Sequence, residues 1–354
     1  MTHEIVPPYL LARIAAVQDP ELQKAAEAAR ATLAAPRHYG PARARLQLSI
    51  EDGDTLVAET APAPDREISD AHGTTTLPGK HVRGEDDPPT GDAAVDEAFD
   101  GLGATFDFYW DAFGRNSYDG KGASLPATVH YGQDFDNAFW NGSRMVFGDG
   151  DNQIFKGFTG SLSVIAHEVS HGLVEVEGGL DYQGQPGSLN ESIADVFGVL
   201  AEQHRSGQTV DQASWLVGEG IFTDAVQGRA LRSLAAPGTA YDDDVLGKDP
   251  QPAHMDGYVV TGDDNGGVHI NSGIPNHAFY LVAKALGGHA WERAGLIWYR
   301  AITGDLPPTA DFATFANATL AAASAEYGEG SKEVDAVRSA WVGVGVLEDG
   351  STTG

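Results

Sequence analysis

His167-Glu168-Val169-Ser170-His171, with Asn190-Glu191-Ser192-Ile193-Ala194-Asp195 downstream, decides how this chain folds and what chemistry it carries. On a helix, residues four apart share a face, so His167 and His171 can turn two imidazoles toward one ion. Glu168 sits one step round, beside that ion without having to bind it. A second helix beginning near Asn190 brings Glu191 in as a third ligand and leaves the fourth position for water. Three protein ligands plus water is the catalytic zinc arrangement, whereas structural zinc sites are closed and usually thiolate-rich. The chain has no cysteine. The bland alternative is an amphipathic helix carrying two incidental histidines. Against it, Val164, Ile165, Val169, Leu173 and Val174 give 161–176 the pattern of a buried helix. Polar groups on a buried helix must be satisfied, and a metal ion does so. Asp195, four residues after Glu191, shares its face and can accept the free ring N–H of a ligand histidine.

A second constellation, Asp263-Asp264-Asn265-Gly266-Gly267-Val268-His269, precedes an expected helix from Pro275 to Leu286. A histidine just past a Gly-Gly turn is well placed to enter a cleft, with Asp264 holding its ring. The alternative is a loop that needs glycines for positive φ and a surface histidine. Spacing alone does not choose between them.

The motifs HEVSH, NESIADVFG, NAFWNGSRMVFGDGD at 137–151, LRS at 231–233 and DNGGVHINSG occur together in this order. In this the chain resembles the thermolysin family of zinc metallopeptidases, over roughly 77–346, and its Pro7-Pro8-Tyr9-Leu10-Leu11 stretch resembles members with a short leader. The resemblance implies an α+β fold of two lobes, the first β-rich and the second mainly helical, with the active-site cleft between them. It implies zinc on His167, His171 and Glu191, Glu168 as general base and acid, and Tyr182 and His269 as donors to the developing oxyanion, His269 being oriented by Asp264. It further implies that Asn137 and Ala138 bind the substrate backbone and that Arg232 holds the carbonyl beyond the scissile bond. The pocket after that bond would be lined by Phe155, Phe158, Val164, Val217 and Leu231. All five are apolar, so cleavage before Leu, Phe or Ile is expected. Each of them could equally be plain core.

The departure from the family lies at its calcium sites. Glu202 and Glu219 remain, but matching positions hold Ser163, Ser214 and Leu216. Two neighbouring calcium ions need many anionic oxygens, so no double site is expected. There is room for one weaker ion.

Length and charge agree with this reading. At 354 residues the chain exceeds one ordinary core. A net charge of −29 argues against nucleic-acid binding, and no apolar run approaches the roughly eighteen residues of a membrane span. The start lacks the basic, apolar and small-residue regions of an ordinary secretory signal. Cytoplasmic residence and non-standard export are both open. The expected organisation is a leader at 1–50, with its boundary between 41 and 64, a β-rich lobe at 51–182 with the zinc helix, and a helical lobe at 183–354. The leader reads as short helices at 9–17 and 20–33, the second capped by Asp19, and a strand at 44–50. Further helices are expected at 92–113, 191–205, 290–301, 311–327 and 332–342, and strands at 128–131 and 145–147. The resemblance implies that the leader lies in the cleft as an inhibitory propeptide in cis, Pro7-Pro8 resisting cleavage. The alternative is a permanent small subdomain. A monomer acting on protein or peptide substrates is expected.

Three functions compete. A neutral endopeptidase accounts for every motif. A zinc aminopeptidase would need an amine-anchoring segment that is not visible. A non-catalytic zinc-stabilised binding protein would be expected to have lost Glu168, Tyr182 or His269, and all three are present.

Overall fold

The computed structural model describes residues 3–36 and 62–349. The expected strand at 44–50 and nearly all of the expected cleavage region at 41–64 lie outside them.

The chain opens with a two-residue strand, β1 (His3–Glu4), and the helix α1 (Pro8–Ala15), which begins where Pro8 needs no N–H partner. A 3₁₀ turn over Pro20–Leu22 is capped by Asp19, whose carboxylate accepts from Glu21 N at 2.9 Å, and it leads into α2 (Gln23–Ala34). The β-rich lobe follows with β2 (Arg66–Asp70), β3 (Lys80–Arg83), α3 (Ala93–Phe113), β4 (Leu125–Val129), β5 (Ala138–Trp140) and β6 (Met145–Phe147). Asp92 caps α3 by accepting from Ala94 N and Val95 N, and Gly114 closes it in the left-handed conformation. One six-stranded sheet runs in the order β1-β5-β6-β4-β2-β3. β4 pairs in parallel with β2 and β6, while β5 is antiparallel to β6 on one side and to β1 on the other. The leader therefore supplies an edge strand to the sheet of the first lobe.

Two long helices make the junction between lobes: α4 (Leu162–Glu177) and α5 (Gly184–Ser206). The sequence placed the start of α5 near Asn190. The helix begins six residues earlier, at Gly184. Pro186 does not stop it, because a proline in the first turn removes an N–H that has no intrahelical partner. Gly198 sets how closely the pair packs. A Cβ there would stand 2.5 Å from the Ser163 carbonyl oxygen and 3.4 Å from the His167 Cβ, so a side chain would push the helices apart.

The second lobe adds the short strands β7 (Leu216–Val217) and β8 (Arg232–Ser233), then α6 (Asp264–Asn271), α7 (Gly273–Leu286), α8 (Leu296–Ile302), α9 (Phe312–Tyr327) and α10 (Lys332–Gly343). The first residues of α6 are not helical. Asp264, Asn265, Gly266 and Gly267 all have positive φ, and a Cβ on Gly266 would meet Gly184 N at 3.0 Å. This is the Gly-Gly turn expected before His269. A buried apolar core unites the lobes and takes in leader residues Ile5, Val6, Leu10, Leu11 and Ile14. Among the described residues, no helix is long and apolar enough to cross a membrane.

Candidate metal centre

His167, Glu168 and His171 lie on α4 and Glu191 and Asp195 on α5, and all five are buried. The Nε2 atoms of His167 and His171 face each other at 2.9 Å. His167 Nδ1 lies 2.9 Å from Asp195 Oδ1, and His171 Nδ1 donates to Asn190 Oδ1 at 2.8 Å. The hydrogen bond to Asn190 places the His171 proton on Nδ1, and the Asp195 carboxylate beside His167 Nδ1 favours the same form there, turning both Nε2 lone pairs inward. Glu191 carboxylate oxygens approach His167 Nε2 and His171 Nε2 at 3.6 Å each, and Glu191 Oε2 makes no hydrogen bond. Two inward lone pairs and an unsatisfied buried carboxylate oxygen suit a divalent cation. Burial first, then His3 and His167, hold His171 well below the usual histidine range, in the neutral form that binds metals. Burial, with the Glu191 charge behind it, pushes the Glu168 carboxyl well up.

Asp195 does more than the sequence suggested. Arg232 grips it with Nε at 2.8 Å and Nη2 at 2.7 Å, and Asn276 Nδ2 donates to it at 2.9 Å. Burial alone would raise this carboxyl, but Arg232 and His167 hold it well below the usual carboxylate range. The charge is thus fixed behind His167.

His269 and Tyr182 stand across the site. His269 Nδ1 donates to Asp264 Oδ1 at 2.6 Å and Nε2 donates to the Glu4 carbonyl oxygen at 2.8 Å, so both nitrogens carry protons. Burial opposes that charge, but Glu191 and Asp264 raise the histidine to about 9. The Tyr182 hydroxyl donates to Glu191 Oε1 and lies 3.4 Å from His269 Nε2.

The backbone partners are those expected of a substrate. Ile5 N donates to the Ala138 carbonyl at 3.0 Å, Val6 N donates to Asn137 Oδ1 at 2.9 Å and Asn137 Nδ2 donates to the Val6 carbonyl at 3.2 Å. Arg232 Nη1 donates to the Ile5 carbonyl at 2.9 Å. The leader runs antiparallel to β5, His3 opposite Trp140 and Glu4 opposite Phe139. Phe155, Phe158, Val164, Val217 and Leu231 are buried in the same core as Ile5. Phe155 packs on Phe158 and Phe222, ordinary core contacts. Of the calcium candidates, Glu202 is half-buried and Glu219 is exposed, 4.0 Å from Arg229. Burial raises the Glu202 carboxyl, against hydrogen bonding from Ser163.

The chain matches the model described as the thermolysin metallopeptidase catalytic domain over residues 44–175, and the thermolysin metallopeptidase alpha-helical domain over 178–346. It belongs to the thermolysin family of metallopeptidases. Among curated relatives it is 49% identical to an extracellular metalloprotease of Pectobacterium carotovorum subsp. carotovorum over 346 residues, 97% of this chain and 96% of that one. It is 52% identical to Protease PrtS of Photorhabdus sp. over 270 residues, 75% of this chain and 72% of the relative. The precursor of protealysin, a metalloproteinase from Serratia proteamaculans, superposes with a TM-score of 0.87 at 48% identity, covering 98% of this chain and 100% of that structure. The short-leader likeness and the two-lobed α+β fold expected from the sequence are both met.

Four residues of the site go unmarked in the sequence, among them Asn276, which donates to Asp195. Asn190 stands where a helix start is expected, although a mid-helix asparagine beside Glu191 is itself a signal. Gly198 looked like any helix glycine. His3 stood in the leader with nothing to connect it to residues far along the chain.

Proposed function

We propose that the chain is the latent precursor of a zinc-dependent endopeptidase that cuts on the N-terminal side of bulky apolar residues. The observation carrying this is the leader's backbone, Glu4 to Val6, hydrogen-bonded to His269, Arg232, Ala138 and Asn137 as a peptide substrate would be. Added strands of this kind take affinity from main-chain bonds and specificity from alternate side-chain pockets.

His167, His171 and Glu191 would hold the ion, their orientation fixed by Asp195, Asn190 and Tyr182. Zinc, when bound, supplies Lewis acidity and lowers the pKa of water. Glu168 takes the proton of the attacking water and passes it to the leaving amine. His269, with Tyr182 beside it, donates to the carbonyl oxygen as negative charge develops there. Arg232 holds the next carbonyl, and Asn137 and Ala138 fix the strand's register. With Ser163, Ser214 and Leu216 at the matching positions, Glu202 and Glu219 would hold at most one weakly bound calcium ion and no double site.

The leader is an inhibitory propeptide in cis, and maturation follows a cut between about residues 41 and 64. Wild-type full-length protein is expected to be trimmed on incubation while Glu168→Ala stays intact, and trimming of neither would sink self-processing. Casein hydrolysis should accompany trimming and stop on zinc chelation. Chelator-resistant hydrolysis would remove the metallopeptidase reading, and a chain that binds zinc without hydrolysing anything would favour the binding-protein alternative. With the processed enzyme and a peptide library, cleavage should concentrate before Leu, Phe and Ile. Cuts made chiefly beside charged residues would contradict the apolar pocket.

A further inference from the structure

One leader side chain plays no part in the substrate-like backbone contacts. His3 is 7% exposed, and its Nδ1 is buried without a hydrogen bond. Its ring stacks on His171, centroids 4.4 Å apart and planes 25° apart, and meets Tyr182 edge-on at 4.3 Å. Potential ligand atoms of His3, His171 and Glu191 all lie within 4.8 Å of one another. An imidazole nitrogen has therefore been carried into the metal centre from a distant part of the chain and left there without a partner.

The register explains why this matters. With the Glu4 carbonyl on His269 and the Ile5 carbonyl on Arg232, the Glu4–Ile5 peptide bond occupies the place of a bond to be cut. A segment held this way is a substrate unless the reacting water is kept out. A catalytic zinc site keeps one position for that water, and four protein ligands close it. His3 is the residue immediately before that bond's carbonyl-bearing Glu4, and among the described residues it is the leader imidazole grouped with His171 and Glu191.

We propose that His3 is a ligand of the ion held by His167, His171 and Glu191, so that the leader blocks catalysis by closing the metal's open position as well as by filling the cleft. This rests on the metallopeptidase reading above. Latency is then a ligand exchange: His3 leaves with the leader, and water takes its place.

The test uses the full-length chain carrying Glu168→Gln, which keeps the ligands and prevents self-cleavage, compared with the same chain carrying His3→Ala or His3→Phe in addition. The phenylalanine keeps a ring to stack on His171 but has no ligand atom. Zinc transfer to a chelator should be roughly tenfold faster or more in both His3 variants, and the visible spectrum of the cobalt(II)-loaded protein should change in both. If His3→Phe keeps the parent's transfer rate and spectrum, His3 only packs and the proposal is overturned. Should the parent itself fail to bind one zinc or cobalt ion per chain, the metallopeptidase reading falls with it. If parent and variants each bind one ion and also share the same transfer rate and cobalt spectrum, only the His3 ligand is removed.

Discussion

Glu168→Gln in the processed enzyme is expected to lower kcat by about a thousandfold, within the range that positioned acid–base groups contribute, and to leave one zinc per chain. The argument is geometric. Glu168 shares α4 with His167 and His171, the proposed ligands, and is fully buried without being needed as a ligand itself. Burial, with the Glu191 charge behind it, raises its carboxyl above the usual carboxylate range, the direction that strengthens a base taking a proton from water and eases its return to an amine. Glutamine keeps the volume and loses that exchange. A loss smaller than about tenfold, measured at saturating peptide with the metal content verified, would assign the proton transfer to another residue.

Asp195→Asn is expected to weaken zinc binding by roughly 10- to 100-fold, the usual cost of losing the partner behind a ligand histidine. It should also destabilise the fold by about 3–5 kcal/mol, as expected when one member of a buried ion pair is removed. Both effects come from one carboxylate. It faces His167 Nδ1 and makes bidentate contact with the buried Arg232 guanidinium. Asparagine leaves that cation uncompensated and turns an N–H donor toward groups that themselves donate. The urea midpoint and the zinc dissociation constant of the Glu168→Gln chain, with and without Asp195→Asn, read the two effects separately. Unchanged stability would mean that Arg232 finds another partner.

How much of this was legible follows from what each feature depends on. The helix carrying His167 and His171 is a local pattern, readable because helix periodicity fixes which residues share a face. Asp195 and Glu191 followed from the same rule applied once more. α3 was placed to within a residue at its start because Asp92 and Gly114 are both local cap signals. The sheet order was not legible, since β4 pairs with β2 across a long insertion and β1 joins from the opposite end of the chain. Asn190, Gly198 and Arg232's second role depend on how closely α4, α5 and β8 approach. That is a tertiary distance with no sequence period. His3 is the extreme case, since its setting exists only once the leader has been threaded along β5.

The burial of Ile5, Val6, Leu10, Leu11 and Ile14 in the common core also bears on the timing of activation. The single downstream cut proposed above would break the chain without removing any of these contacts. Under the proposed maturation, the leader would change from an inhibitor in cis into an ordinary ligand obeying mass action. Severed chains should therefore remain silent at high protein concentration and awaken on dilution, or when another molecule degrades the freed leader. Chain cleavage on a gel and hydrolysis in solution would then run on two clocks, and the gap between them would widen with enzyme concentration.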